Sequence, residues 1–176
     1  MSLQKETWLL DSPTLLNHKF QLGGEIGALA HHLPRSPGVY LIACKSFSST
    51  EIPDFVEKGT GGFHKGKNPN VAVEKLRNKW VLGTNVLYIG KAGGTTATLA
   101  TRLNAYFHFG QGASCSHWGG RYIWQLPFPG KLLVYWMTLN CDSPAQARDW
   151  PREVEKELLG RFESEFGRLP FANLKR

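Results

Sequence analysis

Cysteine is scarce in this chain: Cys44, Cys115 and Cys141 are the three among 176 residues. An odd number at wide spacing builds no disulfide framework. Cys115 and His117 stand close enough to suggest a metal pair, but no second pair at zinc-ligand spacing accompanies them. The three therefore read as small hydrophobes of a reducing compartment. Long apolar runs are also missing. None reaches the roughly 18 residues that a membrane span requires, and no basic segment leads into an apolar stretch at the N-terminus. The expected setting is the cytoplasm, with no membrane partner. Acidic residues are in deficit too, 14 Asp and Glu against 21 Lys and Arg, for a net charge of +7. That balance fits a polyanionic partner, because each cation that meets a phosphate releases a counterion.

What is present describes one soluble globular domain. Hydrophobic residues make up 41% and charged residues 20% of the chain, ordinary values for a chain that buries a core. There is no internal repeat and no linker. Residues 1–34 are mixed, with apolar islands at Trp8–Leu10, Leu15–Leu16 and Phe20 and a helix-start signal at Ser12–Pro13; they read as an extension packed on the domain. Turn chemistry at 34–38 precedes Val39–Ala43, an apolar run that predicts a buried strand. The stretch 46–67, rich in Ser, Gly and Lys, predicts a mobile loop. A short helix is expected over 71–80, capped by Asn70, with Val73, Leu76 and Trp80 on one side.

Val86–Ile89 predicts a second strand. A glycine turn at 93–96 with capping hydroxyls leads to a helix ending near Phe107, where Leu99, Leu103, Tyr106 and Phe107 have helical spacing. Residues 121–126 predict a short strand and 132–139 another. Asp149-Trp150-Pro151 predicts the start of a last helix of about four turns, which Gly167 ends.

Four sets of residues carry chemistry. Tyr40 follows Gly38 in the first strand, and Tyr88 precedes Gly90 and Lys91 in the second. Tyrosine is a favoured strand residue in any case, but a neighbouring glycine also lets a phosphate backbone approach, and Lys91 stands where it can help keep a tyrosinate ionised. A phosphate-loop reading of Gly90-Lys91 fails: Asn85 and Ala92 occupy the positions that need a glycine and a hydroxyl. Arg102 and Tyr106, four apart, share a helical face; they suit either phosphate contact or a snorkelling pair beside the core. In the last helix Val154, Leu158, Leu159, Phe162, Phe166 and Leu169 form an apolar stripe, and Glu155 projects near its middle while Glu157 projects almost opposite. An inward carboxylate needs a partner, a metal ion or a buried cation such as Arg102. Glu157 with Arg161 reads as a surface pair. Asn173 lies beyond a Pro-Phe turn near the C-terminus, where it could bridge a metal shell and a phosphate or simply bond its own backbone.

Taken together, the tags Gly38-Val39-Tyr40 and Tyr88-Ile89-Gly90-Lys91, the pair Arg102 and Tyr106, the acid Glu155 and the closing Asn173 resemble the GIY-YIG nucleases. The stretch from Tyr88 to Phe107 is similar to the N-terminal nuclease domain of the bacterial excision-repair endonuclease. The resemblance implies an α+β fold with a small central antiparallel sheet flanked by helices. The domain would occupy 35–176, with a long insertion at about 45–85 between the two motif strands. It implies a Mg2+- or Mn2+-dependent endonuclease acting on DNA, or, as an alternative, a non-catalytic nucleic-acid-binding module on the same fold. By the resemblance Tyr40 is the general base, Lys91 its electrostatic helper and Tyr88 a second phenol. Arg102 and Tyr106 contact the scissile phosphate, Glu155 holds the ion with Glu163 as a lesser candidate, and Asn173 orders the site. Lys65 and Lys67 in the glycine-rich loop, with His117 and Arg121, are candidate nucleic-acid contacts.

Overall fold

The unbroken apolar run Val39–Ala43 can be a strand only if both of its faces are covered, and that requirement organises the molecule. The computed structural model describes residues 20–29, 33–44, 51–94, 96–114 and 119–175. In it Gly38–Ala43 is strand β2, buried at every position. Strand β1 is Gln21–Glu25, β3 is Val86–Ala92 and β4 is Leu133–Thr138. They form one four-stranded sheet in the order β1-β4-β2-β3, and every pairing is antiparallel. Helix α1 is Val73–Lys79, α2 is Leu99–Gly110 and α3 is Pro144–Phe166. The α+β architecture expected from the sequence is present.

The period-2 alternation of side chains splits β2 between two cores. Val39 and Leu41 join Ile89 and the α3 residues Leu158, Leu159 and Phe162 on one face. Tyr40 and Ile42 join Tyr88 and the α2 residues Leu99, Leu103 and Tyr106 on the other. At about 25 cal/mol per Å2 of apolar surface, burying each of these large side chains is worth about 1.5–3 kcal/mol before chain entropy is subtracted. The glycine of each tag serves this packing. A Cβ on Gly38 would run into the Met137 carbonyl of β4 and lie 2.8 Å from Leu99, and a Cβ on Gly90 would lie 2.7 Å from the Tyr40 hydroxyl. The space that the sequence reading reserved for an approaching phosphate is filled by the protein itself.

Several expectations give way here. The segment before residue 35 supplies, at β1, an edge strand of the sheet rather than an extension merely packed on it; the helix start at Ser12–Pro13 lies outside the described residues. The loop 51–72 is irregular but tied down. The Gln125 side chain accepts from Val71 N–H at 2.9 Å and donates to the carbonyls of Val56 and Val71, and Gly62 N–H donates to the Phe109 carbonyl. Asn70 does not cap α1; its side chain accepts from Gly59 N–H, and Ala72 is the cap position. The hydroxyl that caps α2 belongs to Thr98, in a reciprocal box with Thr101. Arg121–Gln125 is a turn of 3-10 helix, not a strand.

The largest difference is the start of α3. Ser143 caps it, accepting from Gln146 N–H, and Pro151 lies inside it rather than at its first turn. A mid-helix proline removes one N–H and frees the carbonyl four residues before it. That carbonyl, of Ala147, accepts from Gly94 N–H at 2.9 Å. Gly93 makes the approach possible, since a Cβ there would lie 2.5 Å from the same oxygen and 2.8 Å from the Pro151 ring. The proline that breaks the helix ladder thus supplies the acceptor that anchors the turn after β3. At the other end Gly167, with φ of 70°, closes the helix as expected.

Candidate functional site

Strand β3 is the outer strand of the sheet, so its free N–H and C=O groups need partners. The C-terminal segment provides them. Ala172 N–H donates to the Leu87 carbonyl at 2.8 Å. The Asn173 amide then brackets Ile89, accepting from its N–H at 2.9 Å and donating to its carbonyl at 2.8 Å. Asn173 is buried, and its amide pins the chain to β3; both of these bonds go to backbone.

Along this edge opens a cleft of about 510 Å3, lined by Tyr88 and Lys91 of β3, Arg102 of α2, Glu155 of α3, Gly119, Arg121 and the segment Ala172–Lys175. Because β3 is an edge, residues of both its faces reach the cleft: Tyr88 from the α2 side and Lys91 from the α3 side. The Lys91 ammonium donates to Glu155 and forms an ion pair with it. The Glu155 side chain is 17% exposed, whereas Glu157 is 50% exposed and pairs with Arg161 at 2.6 Å. The inward projection of Glu155 and the surface pairing of Glu157 are as the helical spacing predicts. The cation that meets Glu155 is Lys91 rather than Arg102.

Tyr40, Tyr88 and Tyr106 form a file of rings, with centroids 5.9 Å apart for the first pair and 6.1 Å for the second. Tyr88 is the member that lines the cleft; Tyr40 lies behind it and is 1% exposed. The Tyr40 and Tyr88 rings are neighbours, and the interaction of their hydroxyls raises Tyr40 and lowers Tyr88. Burial pushes the Tyr40 phenol well above its ordinary value, reinforced by Tyr88 and Tyr106 and opposed by Arg102. Tyr88 is raised to about 12, first by burial and then by the Glu155 carboxylate, while the Tyr40 hydrogen bond and Arg102 pull it down. Of the two tag tyrosines it is Tyr88 that lines the cleft, whereas Tyr40, expected as the general base, is buried behind it.

Tyr106 departs from its expected phosphate contact. Its hydroxyl is buried and donates to the Gly120 carbonyl at 2.9 Å. Gly120, at φ of 74°, leaves room for it, since a Cβ there would lie 2.8 Å from the hydroxyl. The bond fixes the backbone just before Arg121, whose guanidinium reaches the cleft with its central carbon 5.4 Å from the Tyr122 ring centroid. Arg121 is thus brought to the site, as the sequence reading allowed, and His117 lies outside the described residues. Lys65 and Lys67 are not among the cleft residues. Lys65 lies within, and Lys67 closes, a tight turn at 64–67.

Sequence reasoning missed Lys175. Its signal was present in the basic stretch directly after Asn173, but only the pinning of Asn173 to β3 makes that stretch a wall of the cleft.

Among the described residues no three of His, Cys, Asp and Glu cluster as a metal cage. Among the described residues Glu155 is the one carboxylate lining the cleft. A single carboxylate can hold a hard cation such as Mg2+ only when water and other oxygens complete the shell, and here that carboxylate is paired with Lys91. No family model matches this chain, and neither a curated protein nor a solved structure is significantly similar to it.

Proposed function

We propose that the protein is a Mg2+- or Mn2+-dependent endonuclease that hydrolyses phosphodiester bonds of DNA. The observation that carries this reading is the meeting of Tyr88, Lys91, Arg102 and Glu155, from three separate elements, in one cleft. The resemblance of the same residues to the GIY-YIG nucleases supports it, as does the excess of positive charge.

Each group has a defined task. Arg102 makes no ion pair with an acid among the described residues, and its planar fork receives the scissile phosphate. Lys91, on leaving Glu155, offers a second positive charge to the same phosphate. Tyr88, once it has given its own proton to solvent, accepts as the phenolate the proton of the attacking water and becomes a neutral phenol, as the water oxygen bonds to phosphorus and the sugar oxygen departs. Burial and Glu155 oppose that phenolate, and Arg102 favours it. A divalent ion held by Glu155 would neutralise charge on the phosphoryl oxygens and acidify a bound water.

One observation favours a second reading, a non-catalytic nucleic-acid-binding module. The Lys91–Glu155 pair already satisfies the carboxylate, and an ion pair of this kind holds a surface together without chemistry. Supercoiled plasmid separates the two. The endonuclease reading expects nicking in Mg2+ that EDTA stops; binding without nicking in Mg2+ or Mn2+ establishes the module instead.

A further inference from the structure

The turn at 64–67 lies outside the cleft, and the proposed chemistry makes no use of it. Phe63, which leads into it, is 54% exposed, and no other large apolar side chain stands between residues 57 and 68. Residues 58–67 contain Lys58, Lys65 and Lys67 and no acid. All three lysines are exposed, and none forms an ion pair among the described residues.

The segment is built to hold this ring in place. Gly59 N–H donates to the Asn70 side chain at 2.9 Å, Thr60 N–H to the Trp124 carbonyl at 3.1 Å and Gly62 N–H to the Phe109 carbonyl at 2.8 Å. His64 and Lys67 then exchange both backbone hydrogen bonds, at 3.1 and 2.9 Å. The two residues between them, Lys65 and Gly66, have φ of 49° and 75°. A two-residue hairpin loop of this kind favours Asn-Gly, because a residue with a longer side chain reaches positive φ only at a cost. Lys65 bears that cost and places an ammonium two residues from Phe63. A ring and cations fixed beforehand lose little freedom when a partner arrives.

We propose that the 63–67 turn is a contact for single-stranded nucleic acid, with Phe63 stacked on an unpaired base and Lys65 and Lys67 on flanking phosphates. Every base has a flat face and every nucleotide a phosphate, so a ring among cations matches this polymer without reading its sequence. Inside a duplex the base faces already cover one another, so the partner is a single strand or an unpaired region. An anionic membrane fits less well, since one phenylalanine buries little apolar surface and the turn offers no second. The inference goes beyond the cleft reaction and does not depend on it.

The test is the binding of fluorescein-labelled oligo(dT), of an abasic strand of the same length and of a blunt duplex, read by anisotropy with EDTA present so that nothing is cut. Phe63→Ala weakens oligo(dT) binding by at least about fivefold and leaves the abasic strand and the duplex as in the wild type. Phe63→Trp restores oligo(dT) binding; Phe63→Leu, apolar but not flat, does not. Lys65→Gln and Lys67→Gln each lower the slope of log affinity against log salt by about 0.7, on oligo(dT) and on the abasic strand alike. Phe128→Ala, at a phenylalanine 36% exposed elsewhere, binds as the wild type does. Unchanged oligo(dT) binding in Phe63→Ala, an exposed position that tolerates the change, overturns the contact. So does an equal fall on the abasic strand or in Phe128→Ala, or a wild-type protein that does not bind oligo(dT). Binding to phosphatidylserine vesicles that Phe63→Ala abolishes, with oligo(dT) unaffected, overturns it in favour of a membrane contact. Nicking assayed in parallel keeps this idea apart from the reaction. A protein that nicks but binds oligo(dT) without Phe63 retains the reaction and loses the contact; one that never nicks but needs Phe63 for oligo(dT) retains the contact and loses the reaction.

Discussion

The hydroxyl end of Tyr40 lies across Gly90, its partner on β3, in the space that a side chain would occupy. The glycine of the second tag is therefore what allows the first tag's tyrosine to reach Tyr88. Gly90→Ala would place a Cβ 2.5 Å from Tyr40 Cζ, and the Tyr40 ring, enclosed by its core, has nowhere to go. Overpacking of this kind costs about 1–3 kcal/mol. Thermal denaturation of Gly90→Ala should show that loss, and on the proposed chemistry nicking should fall with it because the Tyr40 ring is pushed away from its place beside Tyr88.

Alkaline stability follows from the same rings. Tyr88 titrates at about 12 against an ordinary value of 10, so between those pH values the native state keeps a proton that the unfolded chain releases. Its contribution is complete below pH 10 and is lost as pH rises toward 12, by up to about 1.4 kcal/mol per unit for this group. Tyr40 and Tyr106 are raised as well and act in the same direction. Urea unfolding at about pH 9 and about pH 11 should show the decline, and Tyr88→Phe should make it shallower without removing it.

The anchor between α3 and the turn after β3 gives an exchange experiment. Pro151→Ala restores a helical N–H that competes with Gly94 for the Ala147 carbonyl. Hydrogen exchange at the Gly94 amide should then speed up, while α3 itself gains protection around residue 151. An unchanged Gly94 rate would mean that the proline has no part in holding the turn.

Asn173→Ala leaves both Ile89 backbone groups without their present partners. A buried unsatisfied polar group costs about 1–3 kcal/mol, and the segment carrying Lys175 loses its attachment. The variant should melt earlier. Asn173→Asp retains an acceptor for Ile89 N–H but turns a carboxylate toward the Ile89 carbonyl, and should be no better. The check is a melting curve of each variant beside wild type.

How much of this was legible beforehand depends on whether the governing contact is local. Strands β2, β3 and β4 were readable from apolar runs bounded by turns, and the inward turn of Glu155 from its angle on the helix, because both patterns lie within one element. The partner of Glu155 was not, since Lys91 reaches it from another element across the sheet edge. Pro151 followed the local rule that places proline in a first turn; only the tertiary bond from Gly94 to Ala147 explains why it is tolerated inside. Arg121–Gln125 carries the β-branched and aromatic residues of a strand, but Gly120 in the left-handed region and the Gln125 side-chain bonds to the 51–72 loop fold it into a 3-10 turn. Lys175 had no local pattern and depended on where Asn173 is held.

The central claim is that Glu155 serves the reaction rather than only steadying Lys91. The most direct measurement compares Glu155→Gln with wild type in Mg2+, following plasmid nicking and duplex binding on the same preparations. The amide keeps the shape and a hydrogen-bond acceptor for Lys91 but removes the negative charge. The account predicts loss of nicking by at least about a thousandfold with binding retained or tightened. Nicking by Glu155→Gln at the wild-type rate would contradict it.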